Sequence, residues 1–452
     1  MVLFIVWRGD IMNRFIKICE YILFVLFFVL LFFMTNKLST FMIIPLIIFI
    51  YFFIKKVKIK HFGIFIFLVA FIVRIISVIV LKVDICDDFK TMYMASRDLI
   101  NGNLSFLKDS YFVYFSYQLG HVVYQAFLLK IINSVLFLKI VNCIITSLSV
   151  LFIYLISRKI FSENTSRIVT FSYLFYLYPL YLNSVLTNQL LPGLLVLIVI
   201  YLIVSRELNY KIVLISSLIL AISNIFRTES IVIILGIVIY IICNFKKENI
   251  KKNSLLIISL FGSYFVFTFI IGLLFTISSI NTNLSNNSGL WKFYCGLNYE
   301  TNGIYNVEDD NRYFNSNDKN KLLVDRIKDN SFKLPILFLK KEVILWTQTN
   351  YDLRISNNFN ESLYNFLLTF NQGFLNFILI LFIISLFPKK SEETSDKILL
   401  IKILVGLYYF VYMFIEISPR YAYILDLFIF LIIGIGIDRV VNFINRKTIK
   451  KY

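Results

Sequence analysis

Cysteine and histidine are scarce in this chain, and their scarcity removes several kinds of chemistry. Five cysteines, Cys19, Cys86, Cys143, Cys243 and Cys295, are scattered over 452 residues with no CxxC or CxxxC spacing. Neither a zinc centre nor a redox pair nor a disulfide scaffold has the ligand spacing that it needs. Only two histidines occur, His61 and His121, so a Ser/His/Asp triad has almost nothing to draw on. Charge is thin as well, at 16% of residues, where soluble domains carry about a quarter. What fills the chain instead is apolar: 59% of residues are hydrophobic, 17% are aromatic, and the mean hydropathy is +0.80. That composition belongs to an all-α polytopic membrane protein. The net charge of +18 does not point to nucleic acid, because the lysines and arginines cluster in short segments between apolar runs.

Apolar runs long enough to be spans cover about 15–34, 41–54, 62–81, 133–157, 168–183, 185–204, 211–226, 229–244, 254–278, 361–387, 397–415 and 420–443, which predicts roughly twelve transmembrane helices. The first run lacks a small-residue cleavage site and reads as a retained span, with Met12 as an alternative start. Basic clusters lie at Lys55–Lys60, Arg158 to Arg167, Arg206 to Lys211, Lys246–Lys252, Lys389–Lys390 and Arg446–Lys451. With the N-terminus in the cytoplasm, every one of them falls on the cytoplasmic side, as the positive-inside rule requires. The same count places 82–131, about 282–360 and the turn Glu416–Tyr421 on the outer side. Residues 111–131 read as an interfacial or re-entrant helix, and 333–341 as a second helix on the membrane surface. The organisation expected is a membrane bundle over 1–281 that includes the first external loop, an external loop subdomain over 282–360, and C-terminal membrane helices over 361–452. No solenoid repeat and no matched pair of broken helices is visible, which counts against a secondary transporter.

The most informative polar stretch is VDICDDFKTMYMASRDLINGN, from Val83 to Asn103, just past an apolar run. Asp87 and Asp88 open a helical pattern that Gly102 stops, so one aspartate is expected to serve as N-cap. Three acids exceed what a cap requires. Asp84, Asp87 and Asp88 at the mouth of a bundle favour a raised carboxyl pKa and hence a general base. They could also hold one Mg²⁺ or Mn²⁺, although metal independence is the expectation.

The DDF at Asp87–Phe89, with Ala95, Gly102 and YFSYQLGHVVYQAFLLKI from Tyr114, is followed by YPLYLNSVLTNQLLPGLL from Tyr178, NIFRTES around Arg227 and EISPRYAYILDL from Glu416. In order and sidedness these elements resemble the GT-C membrane glycosyltransferases, which include protein O-mannosyltransferases and the lipid A aminoarabinose transferase. The resemblance runs from about Val83 to the end. Asp-Asp stands where relatives often have Asp-Glu, and Asn188 with Gln189 stands where relatives often carry an acid.

The resemblance implies a polyprenyl-phosphate-linked sugar as donor. It implies an envelope glycan, lipid or protein as acceptor, and transfer at the outer face of the cytoplasmic membrane, usually with inversion. Such chemistry needs a base for the acceptor hydroxyl and cations for the phosphate leaving group. Asp88, then Asp87, then Asp84 are the candidate bases. Arg420, Tyr421 and Arg227 are the candidate phosphate ligands. Glu416, Tyr117, Gln118, His121, Trp291, Asn298 and Glu300 are the candidate substrate contacts, the last three because rings and amides suit sugar recognition.

Plainer readings compete with each assignment. Arg420 could snorkel to headgroups. Arg227 and Glu229 could neutralise one another, Lys82 and Lys90 could be membrane-edge anchors, and the aromatics of 291–300 could form a small loop core. A polysaccharide polymerase or a lipid-linked saccharide flippase would use the same compartment and carrier. A flippase predicts ionisable groups along the spans, where Glu20 is the conspicuous acidic case.

Overall fold

The computed structural model describes residues 2–57, 59–81, 83–244, 250–278, 280, 284, 288–347, 360–387 and 396–449. Lys82, Tyr351, Lys389, Lys390, Lys450, Lys451 and residues 246–249 of the basic cluster lie outside the described residues. The described chain is helical, with no strand of a sheet among the described residues. In chain order the helices are α1 (Val2–Phe33), α2 (Ile44–Lys56), α3 (Phe62–Leu81), α4 (Asp87–Ile100), α5 (Ser110–Tyr114), α6 (Leu119–Ile131), α7 (Val135–Ile160), α8 (Glu163–Leu174), α9 (Leu177–Val185) and α10 (Leu190–Ser205). There follow α11 (Tyr210–Asn224), α12 (Ser230–Cys243), α13 (Ile250–Ile277), α14 (Trp291–Gly296), α15 (Val307–Phe314), α16 (Lys319–Asn330), α17 (Leu334–Thr347), α18 (Glu361–Leu386), α19 (Asp396–Phe414) and α20 (Tyr423–Ile449).

Seven segments are long and apolar enough to cross a membrane: Arg14–Phe33, Lys37–Lys56, Phe62–Leu81, Val135–Ile160, Ile250–Ile277, Glu361–Leu386 and Lys397–Phe414. Three shorter apolar helices, α10, α11 and α12, stand among them. With α20 and the pair α8–α9, these account for the twelve apolar runs of the sequence. Two boundaries differ from the hydropathy reading. The run at 168–183 is not one helix but α8 and α9, parted at Phe175–Tyr176, with Pro179 in the first turn of α9 where a missing N–H is harmless. The run expected to start at 185 starts at Leu190, because Leu186 terminates α9 in the left-handed region with φ +59°.

Burial divides the spans by role. α1, α3 and α13 leave many large apolar side chains exposed, such as Phe32, Ile64 and Phe269, as lipid-facing helices must. α20 is the opposite: Leu425, Phe428, Leu431 and Ile433 are all 0% exposed. It packs on α7, α8, α18 and α19 and forms the spine of the bundle. Its contact with α18 is close because Gly436 has no side chain, and a Cβ there would lie 2.5 Å from the Leu381 carbonyl oxygen.

The short helices gather at one end. α6, with 13 residues, is too short to span, and packs on α4. Asn306 and Asp318 cap α15 and α16 through their side chains, accepting from Asp309 N and Lys321 N. α17 takes in the helix expected over 333–341, where Ile336 and Leu339 are exposed. It packs on α1, α18 and α19, and its Lys341 and Glu342 are buried.

Candidate active site

The cap of α4 is Cys86 rather than an aspartate, and no side-chain cap bond is made there. Asp87 and Asp88 instead occupy the first turn, where the helix dipole favours negative charge. Asp87 adopts φ +49°, a left-handed conformation that aspartate tolerates better than most residues. The carboxylate of Asp88 accepts a hydrogen bond from Arg420 Nη2 at 3.1 Å. The guanidinium of Arg420 also lies over the ring of Phe89, 5.1 Å from its centroid. Residues 332 positions apart in the chain are thus joined.

Around Tyr421 three cations converge. Lys292 Nζ lies 4.5 Å from the ring centroid, Arg227 Cζ 5.2 Å and Arg420 Cζ 5.6 Å. Arg227 is held by Glu229 at 2.5 Å, and Glu229 in turn accepts from Tyr408 at 3.3 Å. The Tyr421 hydroxyl donates to Glu416 at 3.2 Å. Burial pushes the Lys292 ammonium down to about 8, with Arg227 adding to that and Glu416 and Glu229 opposing it. Burial raises the Glu416 carboxyl, against the pull of Lys292 and Arg420. Burial also pushes the Tyr117 phenol up to about 12.

This cluster exists because the 288–347 segment docks on the turn after α19. Glu416 N donates to Lys292 O at 2.7 Å, and Ile417 N donates to Gly303 O at 2.9 Å. Gly296 permits the approach, since a Cβ there would lie 2.1 Å from the backbone of Ile415. Lys341 locks the junction by donating to the carbonyls of Gly296 at 3.0 Å, Met413 at 2.9 Å and Ile415 at 2.6 Å. Its three donors are thus all placed on carbonyls, while burial pushes the group down to about 7 against the pull of Glu342 and Glu416.

The cluster opens into a cavity of about 1800 Å³. Asp87, Asp88, Tyr117, Gln118, Arg227, Trp291, Glu416, Arg420 and Tyr421, all expected from the sequence, line it. Its other part is apolar, bounded by Val29 and Phe33 of α1, Val232 and Leu235 of α12, Leu339 and Val343 of α17, and Val411 of α19.

Four expected residues are placed elsewhere. Asp84 is exposed and does not line the cavity. His121 is buried within α6, with Nε2 3.2 Å from Leu186 O and 3.0 Å from Gln125 Nε2, and burial pushes its imidazole down to about 4. Asn298 is spent on Asp309, to which it donates at 2.8 Å. Glu300 is exposed and pairs with Lys333 at 3.4 Å. With Asp84 apart, the three aspartates do not converge: among the described residues no group of three or more His, Cys, Asp or Glu could hold a metal ion.

The sequence reading missed Lys292, Tyr305 and Asp310, all of which line the cavity. The signal for Lys292 was a lone cation between Trp291 and Phe293 in an otherwise uncharged segment. Asp310 is adjacent to Asp309 in one acidic helix start, and nothing in the local sequence says which of the two faces outward.

No protein-family profile and no curated protein matches the chain. Among solved structures it is similar to the archaeal oligosaccharyltransferase AglB from Archaeoglobus fulgidus, in a complex with an inhibitory peptide and a dolichol-phosphate, at a TM-score of 0.48 and 12% identity. That match covers 87% of this chain and 52% of the other, so the chain spans about half the length of the structure it resembles.

Proposed function

We propose that the protein is a membrane glycosyltransferase that moves a sugar from a polyprenyl-phosphate carrier to a hydroxyl of a cell-envelope acceptor, at the outer face of the cytoplasmic membrane. One observation carries this reading: a single cavity joins an apolar groove between α1, α12, α17 and α19 to a chamber holding three cations and the Asp88 carboxylate. An isoprenoid tail fits the groove, and its phosphate then reaches Arg420, Lys292 and Arg227.

The chemistry follows from the contacts. Asp88 takes the proton of the acceptor hydroxyl, and the oxygen attacks the anomeric carbon. The bond from that carbon to the phosphate oxygen breaks, and polyprenyl phosphate leaves with the electron pair. Arg420 and Lys292 stabilise the charge gathering on that oxygen. Arg420 serves both partners. In the structure it binds Asp88, and a carrier phosphate competes for the same guanidinium, so donor binding releases the carboxylate for the acceptor.

The test is mass spectrometry of envelope glycans, lipids and surface proteins from cells lacking the protein, complemented with wild type or Asp88→Asn. Loss of one sugar substituent, restored by wild type alone, is the expected result. Unchanged substituents with whole lipid-linked oligosaccharides accumulating would overturn it.

A further inference from the structure

Asp310 lines the same cavity as the cations but is held by neutral partners. Its Oδ1 accepts from Trp291 Nε1 at 2.6 Å, and its Oδ2 accepts from the Tyr305 hydroxyl at 3.0 Å. Each oxygen of an ionised carboxylate can accept more than one hydrogen bond, so both retain capacity. The neighbouring Asp309 is a foil. It is 4% exposed and committed to Asn298, Asn306 and Arg326, the work of a loop brace.

The rings beside Asp310 make a wall. Trp291 packs edge-on against Phe115 at 5.5 Å and lies 6.2 Å from Tyr305, and these three line the cavity with Asp310. Burial raises the Asp310 carboxyl, the hydrogen bonds from Tyr305 and Trp291 oppose that, and the negative charges of Asp309 and Asp88 add to it. An aromatic wall edged by the Asp310 carboxylate suits a neutral ring carrying hydroxyls, and that carboxylate repels a phosphate or carboxylate set against it.

We infer that Trp291, Tyr305 and Asp310 form the acceptor subsite, and that the acceptor presents a neutral saccharide unit rather than an anionic or peptidic one. The inference rests on the glycosyltransferase reading for the word acceptor. The tail and phosphate of the donor are accounted for by the groove and the cations. Asp88 lines the same cavity and is bound to Arg420.

The test uses the full chain in lipid nanodiscs and saturation-transfer difference NMR. The probes are methyl glucoside and methyl N-acetylglucosaminide, with glycerol phosphate and an N-acetylated tripeptide amide as competitors of other chemistry. A parallel thermal-shift measurement uses undecaprenyl phosphate. Transfer to the ring protons of the methyl glycosides, about tenfold weaker in Asp310→Asn, is expected, because one strong acceptor is lost. The shift with undecaprenyl phosphate is expected to be unchanged in Asp310→Asn, which reports an intact fold. If Asp310→Asn does not fold, Trp291→Phe makes the same comparison. Equal transfer in wild type and variant, no transfer at all, or stronger transfer to glycerol phosphate or the tripeptide overturns the subsite. Asp310-dependent glycoside binding without an Arg420-dependent shift from undecaprenyl phosphate leaves the subsite standing and overturns the donor reading.

Discussion

Two arginines in this protein have opposite surroundings. Arg74 of α3 is 0% exposed and lies inside the bundle, donating to Thr146 Oγ1 at 2.9 Å and to Ala70 O at 3.3 Å. Thr146 in turn donates to Asn183 at 2.8 Å, so α3, α7 and α9 are stitched together by dipoles. Arg420 is only partly buried, with its side chain 24% exposed, and it holds a carboxylate and lines a large cavity. What separates a brace from a site is open volume beside the charge and a partner that a ligand can displace.

That contrast can be broken by substitution. The largest effect is expected at Asp88→Asn, with turnover falling by a factor of about 10² to 10⁴ while the melting temperature stays near that of wild type. A collapse of expression in that variant would return Asp88 to a structural role. Arg74→Ala is expected to do the reverse, costing about 3 kcal/mol in stability through an unfilled volume and orphaned dipoles. Thermal unfolding of the purified protein with a carrier-binding assay at low temperature checks this, because the residual folded fraction should bind normally. Arg420→Lys keeps the charge and loses the planar fork, so donor affinity is expected to fall about tenfold. An unchanged affinity would make Arg420 a membrane-edge anchor.

The smallest expected effect is a pH dependence. Lys292, pushed down to about 8 by burial, keeps its proton below that value and loses it above. Binding of an anion is therefore expected to be level on the acid side and to weaken as pH rises through about 8. Lys292→Arg, whose guanidinium stays protonated, should remove the inflection. A profile identical in both proteins would take Lys292 out of the anion site.

Much of this was readable from sequence because charge is rare in an apolar chain and rarity localises it. Asp88, Arg227, Glu416 and Arg420 each interrupt an apolar context, and topology alone put them on one side. The limits came from local ambiguity. The expected aspartate cap fell one residue short, because the cap is Cys86 and both aspartates lie in the first turn. Asp309 and Asp310 are one peptide bond apart with opposite fates, decided by contacts with Arg326 on one side and Trp291 on the other. Hydropathy merged α8 with α9 because the break at Phe175–Tyr176 is itself apolar.

The bond between Asp88 and Arg420 has a consequence for how the protein comes into being. The ribosome delivers α4 early, and α5 to α19 must all be made before the guanidinium emerges to meet it. Until then Asp88 has no arginine to hold it, so the first turn of α4 completes its contacts only after most of the helices around it have been delivered.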